Sequence, residues 1–552
     1  MLRALHPRAA LFVLALAGPA PLRAQAAAPD LVLSNGRVFT ADSARPWAQA
    51  VAVRGDRVVA VGGSDEIEAL AGPRTRIIDL GGRLVVPGFN DAHVHLGPEW
   101  PGAQVSHGTG TFADPDRARV GDSLGAAVRR APPGTWLSME VGERALSDAT
   151  LRRAFLDSVS PAHPVRLHAW SGHGLVFNSA ALRLLGTPLD APDPAGGWYE
   201  RDAAGRLTGL AHEYAGYRAG RRTALTQPVA AARAAVHGTL AAAAALGITT
   251  LQTFTTNLPP AALRPLLAGA PGVRVRVVDF PMERFGEPRR TGGTPGQGVE
   301  GVKYIVDGTP VERLALERAP YADRSGWHGR ANLPPATLRR VLADGLRSRE
   351  QLHLHVVGDS SAALVLGLMA AVGDGEAWTS HRLRIEHGDG LAPDLQQAAR
   401  RLGVVVVQNP SHLMIGDLAR TRLGAERLST YQPLRSLLSA GIPLALGSDG
   451  PMNPFLNLMF AVTYPSRPGE ALTREQAVTA YTLGSAFAER RERDKGRLAP
   501  GMLADLAVLS QDIFTVPADA LPGTTSVLTL VGGRVVHDAG LAGTGTPGSG
   551  GR

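Results

Sequence analysis

Between residues 83 and 447 the chain alternates short apolar, β-branched runs with longer helix-period stretches. Eight such runs stand out, at 83–89, 248–254, 273–280, 302–306, 352–357, 383–386, 404–408 and 443–447. Short apolar runs separated by helical segments predict parallel strands joined by helices, and eight of them predict an α/β fold of the (β/α)8 TIM-barrel class. The gap after the first run is far longer than the others, so residues from about 97 to 240 read as a large insertion after strand one.

The pattern changes at both ends. Residues 31–40 and 50–62 are β-rich and broken by Asn35-Gly36 and Gly55-Asp56, and a similar pair recurs at 505–509 and 526–536 around Gly532-Gly533. These are hairpin signals, and the two ends are expected to build one small discontinuous β-sandwich. The resulting division is 1–26 signal peptide, 27–82 and 491–539 sandwich, 83–490 barrel with its insertion, and 540–552 a Gly/Thr/Ser/Pro-rich disordered tail.

The signal peptide rests on Arg3 and Arg8, the apolar stretch 9–17 and the small-residue site Ala24-Gln25-Ala26. Its apolar core is shorter than the ~20 residues of a membrane span, and no later segment reaches that length. The mature chain is therefore expected to be exported, periplasmic or secreted, without a membrane anchor.

Composition narrows the function. With 44% hydrophobic and 19% charged residues the chain can bury a large core. The net charge of +8 comes from arginines spread without a basic run or interleaved aromatics, so no nucleic-acid interface is expected and the partner is a small-molecule substrate. A homodimer is an admissible assembly. The absence of cysteine excludes disulfides, thiolate ligands and a cysteine nucleophile. Any metal must be held by histidine, carboxylate or a modified lysine.

Polar residues cluster where barrel chemistry sits, at the C-terminal ends of the strands. Strand one runs into Asn90-Asp91-Ala92-His93-Val94-His95, strand four into Val302-Lys303 and Asp307-Gly308, and strand five holds His353, His355 and Asp359. Strand six closes on Glu386-His387 and strand eight on Gly447-Ser448-Asp449. Alternate residues of a strand share a face, so His93 and His95 can both point into the barrel mouth. Divalent cations need imidazole and carboxylate ligands converging from several directions, which strand ends supply. An ordinary core would be apolar there, because buried unpaired His, Lys and Asp are costly.

This order of motifs resembles the amidohydrolase superfamily, in its YtcJ-like branch related to N-substituted formamide deformylases. The resemblance spans nearly the whole mature chain. It is carried by Pro87-Gly88-Phe89-Asn90-Asp91-Ala92-His93-Val94-His95, Ser171-Gly172-His173 leading to Asn178-Ser179-Ala180-Ala181-Leu182, and Leu246-Gly247-Ile248-Thr249-Thr250. It continues through the strand-four to strand-eight motifs above, Ala480-Tyr481-Thr482 and Gly496-Arg497-Leu498-Ala499-Pro500-Gly501-Met502-Leu503-Ala504-Asp505. The resemblance implies a metal-dependent hydrolase acting on a C–N bond of an amide, formamide, carbamate or cyclic amide. It implies that His93 and His95 bind one metal, that His355 and His387 bind a second or complete the first, and that Asp449 is ligand and proton shuttle. Zinc is the default ion for such ligands. Lys303 is either a carbamylated bridging ligand, as in similar superfamily members, or a lysine paired with Asp307.

Several residues keep two readings. His353 is a core histidine or a site residue. His173, in the insertion, faces substrate or makes a structural hydrogen bond, as does Asn178. His412 stabilises a carbonyl oxygen or caps a loop, and Glu213 is a substrate contact. Asp359 and Glu386 are expected to support ligand histidines, and Asp91 to organise its turn. The insertion reads Trp136-Leu137-Ser138-Met139-Glu140 where relatives often carry a Gly-Trp-Asp-like stretch, and Thr309-Pro310-Val311-Glu312-Arg313 replaces a run of small residues. Substrate is therefore not inherited with the motifs. An ester, lactone or organophosphate hydrolase with the same site is the first alternative, and an exported non-catalytic binding protein is the second.

Overall fold

Eight short parallel strands carry the polar cluster: β1 Phe89–Val94, β2 Ile248–Phe254, β3 Arg274–Val278, β4 Gly301–Ile305, β5 Gln351–Val356, β6 Arg384–His387, β7 Val405–Gln408 and β8 Leu444–Leu446. The computed structural model describes residues 28–108, 114–270, 272–283, 285–286, 300–348, 350–544 and 546–547. The segment expected to be a signal peptide and the end of the expected tail lie outside the described residues.

β1, β2 and β3 form one parallel set and β4 to β8 a second in chain order. A parallel bridge between Asp279 and Val302 joins the sets, with Asp279 N–H donating to Gly301 O at 2.9 Å and Lys303 N–H to Asp279 O at 2.8 Å. On the other side Asp449 N–H donates to His93 O at 2.8 Å, bringing the end of β8 against β1. Gly447 makes that approach possible, since a Cβ there would lie 2.6 Å from the His93 amide nitrogen. This is the (β/α)8 arrangement.

The connecting helices show why the periodicity was informative. Pro335–Arg347 buries Leu338, Val341 and Leu342, and Asp359–Val372 buries Ala362, Val365 and Leu366 at the same i, i+3, i+4 spacing. Each fully buried Leu or Val side chain of this kind contributes about 1.5–3 kcal/mol, which the strand faces beneath them share.

Between β1 and β2 a six-stranded sheet is ordered Gly197–Arg201, Leu207–Glu213, Gly174–Phe177, Val165–Ala169, Leu137–Val141, Ala103–Gln104. It has its own core around Leu124, Met139, Leu156 and Leu167. Two further sheets come from the chain ends, and Leu33, Val51 and Ile78 of one share a core with Val85, Leu506 and Leu528 of the other. Within the described part of the expected tail, Thr546–Pro547 pairs with Arg76–Asp79.

The run at 83–89 differs from expectation. Leu84–Pro87 pairs with Arg37–Phe39 and Leu506–Leu509 in a terminal sheet, and the barrel strand starts at Phe89. The apolar stretch belongs to one sheet and the polar stretch after it to the barrel. Among the described residues no helix is long and apolar enough to cross a membrane.

Candidate metal centre

Strand register decides which side chains meet. Lys303 of β4 stands opposite His353 of β5 and Ile305 opposite His355, while His353 and His355 stand opposite Arg384 and Glu386 of β6. The deepest layer is built on Glu386. Its carboxylate accepts from His93 Nδ1 at 2.9 Å, His353 Nδ1 at 3.0 Å and Arg384 Nε at 2.9 Å, and all four side chains are buried. Burial alone would raise the Glu386 pKa, but Arg384 and the two imidazoles outweigh it and hold the carboxyl well below its usual range. Glu386 thus supports histidines as expected. The sequence reading missed Arg384, although it shares Glu386's parity on the strand.

With Nδ1 engaged, His93 turns Nε2 towards the mouth, 3.7 Å from Asp449 Oδ1 and 2.9 Å from Lys303 Nζ. His95 is anchored at Nδ1 by Thr256 Oγ1, 3.1 Å away, and presents Nε2 to Asp449 Oδ1 at 3.2 Å. The other Asp449 oxygen lies 3.9 Å from His387 Nε2 and 3.6 Å from His412 Nε2. The surrounding imidazoles overcome burial and hold the Asp449 carboxyl well below its ordinary pKa. Burial lowers His93 to about 4 and Lys303 to about 8.

Among the described residues two donor groups result, His93/His95/Asp449 and His387/His412/Asp449, each with ligand atoms within 4.8 Å of one another. They share Asp449. His412, reached through the 3-10 turn Pro410–Ile415 after β7, stands in the second group. His355, expected beside His387, belongs to neither, although its ring centroid is 4.4 Å from that of His387 and its buried Nε2 has no hydrogen-bond partner. A neutral imidazole nitrogen buried without a partner, beside four more imidazoles and an ionised carboxylate, is a donor set that fits a divalent cation.

Backbone strain marks the same residues. His387, Asp449 and Glu213 adopt φ of 69°, 55° and 55°, conformations that cost a non-glycine residue of order 1 kcal/mol and concentrate at functional sites.

The centre opens into a cavity of about 360 Å³. His355, His387, His412 and Asp449 line its floor, with Trp170, Val311, Leu413, Met414 and Tyr464 on the walls. His173 lines it from the insertion, its ring 5.0 Å from that of His355. Glu213 stands behind His173 instead of on the cavity. It is buried, accepts from His173 Nδ1 at 2.9 Å and from Asn332 Nδ2 at 3.1 Å, and packs against Gly308, where a Cβ would come within 2.6 Å of its Oε1. Burial pushes His173 down, but Glu213 and then Glu312 outweigh it and raise the imidazole to about 9. Glu312, bonded to Ser171 and Thr309, was not singled out from sequence.

Four further motif residues make structural contacts. Asp307 does not pair with Lys303: its carboxylate accepts backbone N–H groups of Val357, Gly358 and Leu316 at 3.0, 2.9 and 2.9 Å. Asp359 accepts from the Arg318 amide at 2.7 Å and touches no ligand histidine. Asn178 caps the helix Ser179–Leu184 and ties it to Val165, Ser160 and His163, a structural role. Asp91 accepts from Ser448 N–H and the Tyr481 hydroxyl at 2.8 and 2.9 Å, fastening β1 to the end of β8.

The amidohydrolase family model matches residues 76–537 of this chain. The N-substituted formamide deformylase of Arthrobacter pascens is 28% identical over an alignment covering 90% of this chain and 95% of that one. YtcJ of Bacillus subtilis, an amidohydrolase by name, is 27% identical and covers 85% of this chain and 92% of its own. The crystal structure of a metal-dependent hydrolase from Pyrococcus furiosus matches the fold with a TM-score of 0.65 at 23% identity, covering 88% of this chain and all of that one.

Proposed function

Because this chain belongs to the amidohydrolase family, we propose that its activity is hydrolysis of a C–N bond in a small amide, formamide, carbamate or cyclic amide. The observation that carries the reading is the pair of donor groups meeting on Asp449 at the floor of the cavity. His93, His95, His387 and Asp449 would hold the metal, with His355 and Lys303 beside them and zinc the expected ion. When bound, a divalent cation acidifies water towards a pKa of about 7 and polarises the scissile carbonyl.

The protein's own groups do the rest. Asp449, kept ionised by the imidazoles around it, accepts a proton from the attacking water and returns it to the leaving nitrogen. His412 stands over the Asp449 side of the cavity, placed to donate to the carbonyl oxygen as charge grows there. His173, charged and backed by Glu213, binds the polar part of the substrate from the opposite wall, while Trp170, Leu413 and Met414 take an apolar substituent. In this reading Lys303 carries a carbamate, the sheet between β1 and β2 is a substrate-facing insertion, and the two terminal sheets form a β-sandwich. The protein acts outside the cytoplasm after removal of residues 1–26.

A substrate panel tests the proposal. The metal-loaded protein is assayed with N-substituted formamides, simple amides, carbamates and cyclic amides, beside esters, lactones and phosphotriesters matched in size. Turnover of at least one C–N substrate above every C–O and P–O substrate is expected. Turnover confined to esters, lactones or phosphotriesters overturns it.

A further inference from the structure

A second cavity, of about 390 Å³, lies between the insertion and the barrel and shares no lining residue with the one described above. Arg166 and His168 enter it from one face of the strand Val165–Ala169, whose other face buries Val165, Leu167 and Ala169 in the insertion's core. The loop after His95 supplies Trp100, and the residue after Thr256 supplies Asn257.

The polar groups of this cavity are incompletely satisfied. Arg166 stacks over the Trp100 ring at 4.3 Å and gives Nε–H to Ser138 Oγ at 2.9 Å. Among the described residues no carboxylate pairs with it, and its two terminal nitrogens donate no hydrogen bond. Burial alone lowers its pKa, to about 9, with no neighbouring carboxylate to raise it. The Trp100 indole N–H and His168 Nδ1 are buried without a partner. Among the described residues, the one carboxylate lining the cavity, Glu99, is exposed. Arg166 is half-buried with free donors at its tip, and the buried indole N–H beside it is costly unless something accepts from it. The planar guanidinium fork matches the two oxygens of a carboxylate or phosphate.

We propose that this cavity is a binding site for a small oxyanion, held by the terminal nitrogens of Arg166 and the indole N–H of Trp100. It is distinct from the candidate metal centre and does not depend on the reaction assigned there. The occupant would sit against Trp100 and Asn257, behind the segment that carries His95 and its partner Thr256.

Calorimetric titration of the metal-loaded protein with sodium acetate and, separately, with inorganic phosphate tests the site in wild type, Arg166→Gln and Trp100→Phe. One of the two anions is expected to bind saturably at a single site. Arg166→Gln should weaken that binding at least about tenfold, as expected for losing charge-assisted hydrogen bonds, and Trp100→Phe, which keeps a ring but removes the N–H, should weaken it by a smaller factor. Binding of acetate alone assigns a carboxylate ligand, and binding of phosphate alone a phosphate. If Arg166→Gln fails to fold, the Trp100→Phe comparison decides. No saturable binding, or binding that both variants retain unchanged, as an anion at the metal centre would show, overturns the proposal.

Discussion

Glu386 Oε2 lies 2.9 Å from His93 Nδ1 in the buried base of the barrel. That contact fixes the proton on Nδ1 and leaves the Nε2 lone pair facing Asp449, the tautomer a metal ligand needs. In Glu386→Gln an amide must serve two imidazoles and Arg384, which then lacks a counter-charge. Metal affinity is expected to fall about 10–100-fold, and stability by about 3–5 kcal/mol because a buried guanidinium is left unpaired. Chelator competition and urea unfolding measure the two effects. Wild-type values for both would show that Glu386 is not the support of His93.

Lys303 Nζ sits 2.9 Å from His93 Nε2 and 4.0 Å above the Phe254 ring, with Asp307 committed elsewhere. A free ammonium would be repelled by a cation bound to His93, whereas a carbamate would be a ligand. Metal-loaded protein prepared with ¹³C-bicarbonate should show a carbamate carbon resonance that Lys303→Arg lacks. A spectrum without that resonance in wild type means that the lysine is unmodified.

The strand ends were legible because ligand histidines break an apolar pattern that would otherwise continue, as in β5 and β6. β2 was readable to the residue, being rich in β-branched residues and bounded by Gly247. β1 was not. Asn90, Asp91 and His93 make it polar, and it is a strand because Glu489, Ser448, Tyr481 and Glu386 satisfy those groups from up to 399 residues away. Periodicity cannot register partners so distant in sequence, so the apolar run before it reads as the strand. The same limit hid the place of His412 beside His387, which depends on the turn after β7, and the charge on His173, which depends on Glu213 and Glu312.

Asp307 serves as a connector between the loop at Leu316 and the end of β5, accepting three backbone N–H bonds in a fully buried setting. An amide has one acceptor oxygen, so Asp307→Asn leaves at least one buried N–H without its partner. The expected cost is about 1–3 kcal/mol, read as a lower urea midpoint at unchanged slope. No shift in midpoint would mean that the loop finds other acceptors.

Export is checked by sequencing the N-terminus of protein recovered from its native host. A start near Ala27 outside the cytoplasm is expected from the Ala24-Gln25-Ala26 site. An intact Met1 on cytoplasmic protein rules it out.

Asp449 is the residue on which both donor groups converge, its two oxygens lying 3.2 to 3.9 Å from four imidazole nitrogens. Asp449→Asn is nearly isosteric and keeps the fold while removing the proton acceptor. A positioned general base contributes about 10²–10⁴-fold, so kcat on a C–N substrate should fall at least that far. The measurement is single-turnover kinetics of wild type and Asp449→Asn, with metal occupancy determined in both and brought to the same value. A loss of about a hundredfold or more at equal occupancy is predicted; retention of more than about a tenth of wild-type kcat would contradict the role of Asp449 as proton shuttle.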